Sequence, residues 1–131
     1  MILVDSSVWI DFLRGTRTAE ADTLSGLIGK APLLVGDLML CEILLGVPTE
    51  AEARRVETAL RRFEIVAIVS DAVAVQAAAH YRALRARGIT IRKTIDLLIG
   101  AFCLRHRHTL LHRDRDFDPM QTHLGLRVLA P

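Results

Sequence analysis

Apolar residues in this chain fall into blocks of two kinds, and the alternation between them predicts an α/β fold. Residues 1–4, Leu33-Leu-Val, Ile65 to Val69, Thr109-Leu-Leu and Leu126 to Leu129 are short, nearly continuous apolar runs. Such runs suit strands buried on both faces. Longer segments between them space their apolar residues as helices do. The first runs from a cap at Ser6 or Ser7 to about Arg14, with Gly15 as its stop, and the second covers Ala19 to Ile28. A third starts at Asp37 as N-cap and stops at Gly46-Val-Pro48. Thr49-Glu-Ala-Glu52 is a capping box opening a fourth, to about Phe63. Ser70 caps a long helix from Ala72 to about Arg87, and Thr94 caps another from Ile95 to about His106. Asp116-Phe-Asp-Pro119 predicts a turn. Strands alternating with helices predict an α/β sandwich with a central, mostly parallel sheet, and the length suits a single domain over residues 1–131.

Acidic residues recur at the joints of this pattern. Asp5 follows the first strand, Glu42 lies in the helix after the second, Asp96 opens the helix before the fourth, and Asp114 and Asp116 follow the fourth. In an open parallel sheet, strand C-termini and the following helix N-termini converge on one edge, where ligands bind. Carboxylates gathered there repel one another unless a cation sits between them. Oxygen ligands of this kind suit magnesium, with manganese as the alternative ion. Such an ion acidifies a bound water and neutralises charge building on phosphorus, so the constellation points to phosphodiester hydrolysis.

The members differ in what else could explain them. Asp5 follows a buried strand without an obvious partner, and Ser6 and Ser7 are equally good caps, so capping does not require it. Glu42 is the ionisable group of an otherwise apolar segment, Leu38 to Leu45, and is expected to be buried there. Asp96 in a first helical turn also suits the helix dipole. Asp114 and Asp116, two apart in an extended segment, point the same way. Asp11, a turn and a half beyond Asp5, is expected at the surface. His106, His108 and His112 resemble a zinc cluster in composition, but the first two flank a helix-to-strand turn and are not expected to share an orientation.

Composition narrows the classes further. With 51% apolar and 24% charged residues the chain is ordinary for a folded domain. No apolar run is long enough to span a bilayer, and Asp5 spoils a signal-peptide reading, so the expected location is cytoplasmic. Cys41 and Cys103 lack metal-site or disulfide spacing and read as small core residues. A net charge of +2 does not by itself announce nucleic acid.

With these residues in view, the chain resembles the PIN-domain ribonucleases, and more narrowly the VapC toxins of bacterial type II toxin–antitoxin modules. The likeness is carried by Ile2-Leu-Val-Asp-Ser-Ser-Val-Trp-Ile-Asp-Phe-Leu-Arg, Leu40-Cys-Glu-Ile-Leu-Leu-Gly, Thr94-Ile-Asp-Leu-Leu-Ile-Gly-Ala and Leu111-His-Arg-Asp-Arg-Asp-Phe-Asp. The resemblance implies a PIN-like three-layer sandwich and a Mg²⁺-dependent endoribonuclease acting on transfer RNA or other structured RNA. Asp5 and Asp96 would be the principal metal ligands, Glu42 would orient a water or hold a second ion, and Asp114 would complete the quartet with Asp116 assisting. Ser6 would touch phosphate or support a ligand. The family's fourth motif often carries Asn where this chain has Arg113, which leaves open which of Asp114 and Asp116 lies nearer the ion. A homodimer and a cognate VapB-type antitoxin are also implied.

An acidic pocket repels RNA, so a basic rim is expected; Arg82, Arg85, Arg87, Arg92, Lys93, Arg113 and Arg115 are candidates, and His112 could touch phosphate or orient Asp114. Aromatic residues are only 5%, so base stacking is not the expected recognition device, and Trp9 reads as core or interface. A haloacid-dehalogenase-type phosphatase would need a second Asp where Ser7 stands, and a receiver domain would need paired acids at the first strand. The remaining alternative is a degenerate PIN-fold module that binds RNA or protein without nuclease activity.

Overall fold

The computed structural model describes residues 1–131. The strands are β1 (Ile2–Val4), β2 (Leu33–Gly36), β3 (Glu64–Val66) and β4 (Thr109–Leu111). The helices are α1 (Ser6–Arg14), α2 (Ala19–Leu27), α3 (Asp37–Leu45), α4 (Glu50–Leu60), α5 (Asp71–Ala86), α6 (Thr94–His106) and α7 (Asp118–Leu124). The strands form one sheet in the order β3-β2-β1-β4, and every pairing is parallel. Flanking helices complete the expected α/β sandwich.

Leu3, Val4, Leu34, Val35, Leu110 and Leu111 are all fully buried, which is why these strands read as unbroken apolar runs. Trp9 is also fully buried and packs its ring against Phe63 and Phe12. From β1 the chain moves outward on one side through β2 to β3. It then returns on the other side of β1 to lay down β4, so the crevice between β1 and β4 is the sheet's topological switch point.

Several boundaries differ from the sequence expectation. The β-branched run from Ile65 pairs only through Val66, because the neighbouring β2 ends at Gly36. Leu126 to Leu129 contributes a single bridge, Val128 to Leu110, rather than a strand. Asp37 is the first residue of α3, with Gly36 at the cap; its carboxylate bonds the Leu38 N–H at 2.8 Å and the Ile68 N–H at 3.0 Å, tying α3 to the segment after β3. Lys93, not Thr94, holds the N-cap position of α6. Asp116 to Pro119 is not a turn but the join between a 3₁₀ turn (Arg115–Phe117) and α7, with Pro119 in the first helical turn where its missing N–H costs nothing. Thr49 and Ser70 cap α4 and α5 through the Glu52 and Val73 N–H groups, as their spacing predicts. Cys103 is buried, whereas Cys41 is exposed. No helix is long and apolar enough to cross a membrane.

Candidate metal centre

A cavity of about 380 Å³ opens at the C-terminal ends of β1 and β4, lined by Asp5, Ser6, Ser7, Glu42, Lys93, Thr94, Ile95, Asp96, Arg113 and Asp114. Asp5 is fixed by the sheet: its N–H donates to the Leu111 carbonyl at 2.9 Å, extending the β1–β4 pairing into the crevice. It stands at the N-cap position of α1, yet its carboxylate makes no capping bond there. That group instead accepts the Ser7 hydroxyl at 3.3 Å. Burial raises the Asp5 pKa to about 6; the Ser6 backbone N–H opposes the rise and repulsion from Glu42 adds to it.

Ser6 does not cap either. Its hydroxyl donates to Glu42 Oε1 at 3.3 Å, joining α1 to α3 across the pocket. Glu42 is half-buried rather than enclosed, because α3 buries only Met39 and Ile43 and leaves Cys41 and Leu45 at the surface. An apolar circumference overstated how much of that helix is covered.

Asp96 lies in the first turn of α6 and is only 6% exposed. Its Oδ2 is buried without any hydrogen-bond partner. Burial raises its pKa to about 7, with repulsion from Asp114 and Asp5 adding and Lys93 opposing. Around Asp114 burial pushes upward too, but the Asp116 N–H at 2.9 Å and the Lys93 ammonium at 3.0 Å more than offset it and hold the carboxyl below its ordinary range. One carboxylate oxygen from each of Asp96, Asp114 and Asp116 lies within 4.8 Å of the others.

An orphaned buried oxygen beside two further carboxylates fits a hard divalent cation. Metal–oxygen bonds of about 2.1 Å place ligand oxygens roughly 3 to 4 Å apart, so modest closure would suffice. Within the fold, the Ser6 N–H and Ser7 hydroxyl at Asp5 and the Lys93 charge near Asp96 offset only part of the cost of burying the two carboxylates in one cavity.

The structure thus brings Asp5, Ser6, Glu42, Lys93, Asp96, Arg113 and Asp114 to one cavity, with Asp116 adjoining through its triad. Arg92 and Arg115 are exposed and do not line it. Nor does His112: its Nδ1 accepts the Asp114 N–H at 3.0 Å and its ring packs on Phe117, which burial accompanies with a lowered pKa. The other histidines depart from expectation, since His106 and His108 stack with ring centroids 5.9 Å apart. They precede β4 while His112 follows it, so the three do not converge.

Two residues escaped the sequence reading. Ser7 supports Asp5 directly. Asp11 is not exposed but 8% accessible, and the Arg113 guanidinium reaches it at 2.9 Å. The available signal was its position three residues after Val8, on the same helical face as that buried side chain.

Comparison with known proteins matches residues 2–121 to the PIN domain family. Ribonuclease VapC11 of Mycobacterium tuberculosis is 34% identical over 121 residues, covering 90% of each chain. VapC ribonuclease Mb1587 of Mycobacterium bovis shows the same identity and coverage. Among solved structures, VapBC2 from Rickettsia felis bound to a promoter DNA fragment superposes with a TM-score of 0.76 at 16% identity, over 98% of both chains.

Proposed function

Because this chain belongs to the PIN domain family, with VapC ribonucleases among its relatives, we propose that it is a metal-dependent endoribonuclease, the toxin of a type II toxin–antitoxin pair. The observation that carries this reading is the buried Asp96 carboxylate, whose Oδ2 has no partner and which clusters with the Asp114 and Asp116 carboxylates within 4.8 Å. Residues 1–131 act as a single PIN domain, working in the cytoplasm on transfer RNA or other structured RNA, with Mg²⁺ as the ion and Mn²⁺ able to replace it.

Asp5, Asp96 and Asp114 would hold the ion, with Asp116 beside Asp114. When bound, the ion supplies an acidified water and positive charge against the scissile phosphate. Glu42, held by the Ser6 hydroxyl, is placed to accept a proton from the attacking water. Burial raises the pKa values of Asp5 and Asp96, so a cation held there would compete with protons for both carboxylates. Lys93 and Arg113 at the rim draw the RNA backbone toward an otherwise repellent pocket. Arg92 and Arg115 extend the basic surface further out, and His112 orients Asp114 through its backbone N–H.

A VapB-type antitoxin and a second copy of the chain complete the assembly. An apolar groove lined by Ile10, Leu13, Ile43, Val47, Pro48 and Val56 supports a covering partner. Asp5, Glu42, Asp96 and Asp114 together in one cavity argue against a degenerate binding module.

Cleavage of a transfer RNA pool in Mg²⁺ by wild type and by Asp5→Asn tests the proposal. Wild type is expected to give fragments with 5′-phosphate and 3′-hydroxyl ends, and the variant none. Equal cleavage by both, or cleavage by wild type in EDTA, would remove the metal-centred reading.

A further inference from the structure

Outside the carboxylate cluster, the Asp11–Arg113 pair is the contact whose cost and placement most need explanation. Asp11 sits on α1 with 11% of its side chain exposed, and the Arg113 terminal nitrogen lies 2.9 Å from its Oδ2. Burying a carboxylate this deeply beneath a surface arginine contributes little to stability, because desolvation offsets most of the attraction. The contact is off-axis, since Oδ2 accepts no aligned hydrogen bond. Arg113 donates no other side-chain bond, so its fork of N–H groups stays available. Arg113 is also one of the residues lining the cavity that contains Asp5, Glu42, Asp96 and Asp114.

We propose that Asp11 is a positioning residue that holds the Arg113 guanidinium at the mouth of the pocket, where it clamps a phosphate of the RNA strand entering the site. This role rests on the ribonuclease reading above. Without Asp11, a guanidinium on a flexible stem beside several carboxylates would turn inward onto them. The buried carboxylate on α1 is a rival partner that points the arginine across the cavity mouth instead. The planar fork then suits a phosphate bidentately while its other edge rests on Asp11.

The test measures binding of a fluorescein-labelled uridine dodecamer by anisotropy in Ca²⁺, and steady-state cleavage of transfer RNA in Mg²⁺. The proteins are wild type, Asp11→Asn, Asp11→Glu, Arg113→Ala and the double variant Asp11→Asn/Arg113→Ala. Asp11→Asn and Arg113→Ala are each expected to weaken binding about tenfold, the scale of one charge-assisted contact. Each should raise KM with little change in kcat. The slope of log K against log salt should fall by about 0.7 in each, one phosphate contact on a single strand. The double variant should be no worse than Arg113→Ala, and Asp11→Glu should recover most of the loss.

A purely structural Asp11 would lower the melting temperature without moving the salt slope, and that result would overturn the proposal. So would additive losses in the double variant, or unchanged binding in Asp11→Asn. Wild type that neither binds the dodecamer nor cleaves transfer RNA would instead remove the ribonuclease reading and this inference with it.

Discussion

The Lys93 ammonium lies 3.0 Å from Asp114 Oδ2, so a residue just before α6 and a residue just after β4 share one ion pair at the pocket rim. Asp114 gives strong support to Lys93, raising its pKa, and Lys93 in turn helps keep Asp114 ionised. An incoming cation and an incoming phosphate would share the two partners between them: the carboxylate for the metal, the ammonium for the RNA.

Lys93→Ala is therefore expected to separate activity from stability. The lysine side chain is 62% exposed, and exposed pairs of this kind contribute less than about 1 kcal/mol. The melting temperature should barely move, whereas KM for transfer RNA should rise roughly tenfold, consistent with a lost charge-assisted contact. Lys93→Arg should retain most of the binding.

Asp96→Asn should abolish the magnesium-dependent rise in melting temperature and reduce cleavage by about a thousandfold or more, a loss of the size seen when a central electrostatic group is removed. In EDTA at pH 8 the same variant should be more stable than wild type, because it removes a buried charge that Lys93 offsets only in part. Differential scanning fluorimetry with and without Mg²⁺ reads both effects.

The pH dependence of the metal-free protein follows from the same carboxylates. Asp5 and Asp96 have folded pKa values of about 6 and about 7, raised from 3.8. A raised pKa means that the folded state holds its proton more tightly than the unfolded chain. Their contribution is thus fully present below about pH 4 and is lost as pH climbs through 6 and 7. In EDTA the melting temperature should fall between pH 5 and pH 8 by about 5 °C or more. Saturating Mg²⁺ should flatten that decline, and a melting temperature that rises over this interval in EDTA would contradict the assignment.

Gly36→Ala should destabilise the fold and disturb Glu42 together. A methyl group at this position would stand 2.6 Å from Met39 Sδ and 2.9 Å from two side-chain carbons of Ile68. Overpacking of this kind typically costs about 1 to 3 kcal/mol. Because Gly36 is the N-cap position of α3, relief by shifting that helix would also move the Ser6–Glu42 bond. Urea unfolding together with cleavage assays should show both losses.

Much of the site was legible because strand ends in an alternating chain have only one place to go. Asp5, Asp96 and Asp114 could be assigned to one edge from their positions alone, without knowing the strand order. Glu42 was located but its burial was not, since apolar spacing says which residues prefer cover and not whether a neighbour supplies it. Leu126 to Leu129 has strand composition, yet only Val128 bridges Leu110, because an edge position provides few pairing opportunities. Asp11 and Arg113 lie about a hundred residues apart in sequence, and no local pattern links an α1 carboxylate to a loop beyond β4.

The switch-point topology also sets when the pocket is completed. β1 at the start of the chain pairs with β4 near its end, and Asp5 is anchored to Leu111. Synthesis from the N-terminus therefore leaves the pocket open on one side until the last strand has left the ribosome. A truncated or nascent chain lacking residues from Thr109 onward has no Asp114 and no β4 to pair with that edge of β1. The cavity is thereby closed only once β4 and Asp114 have joined β1.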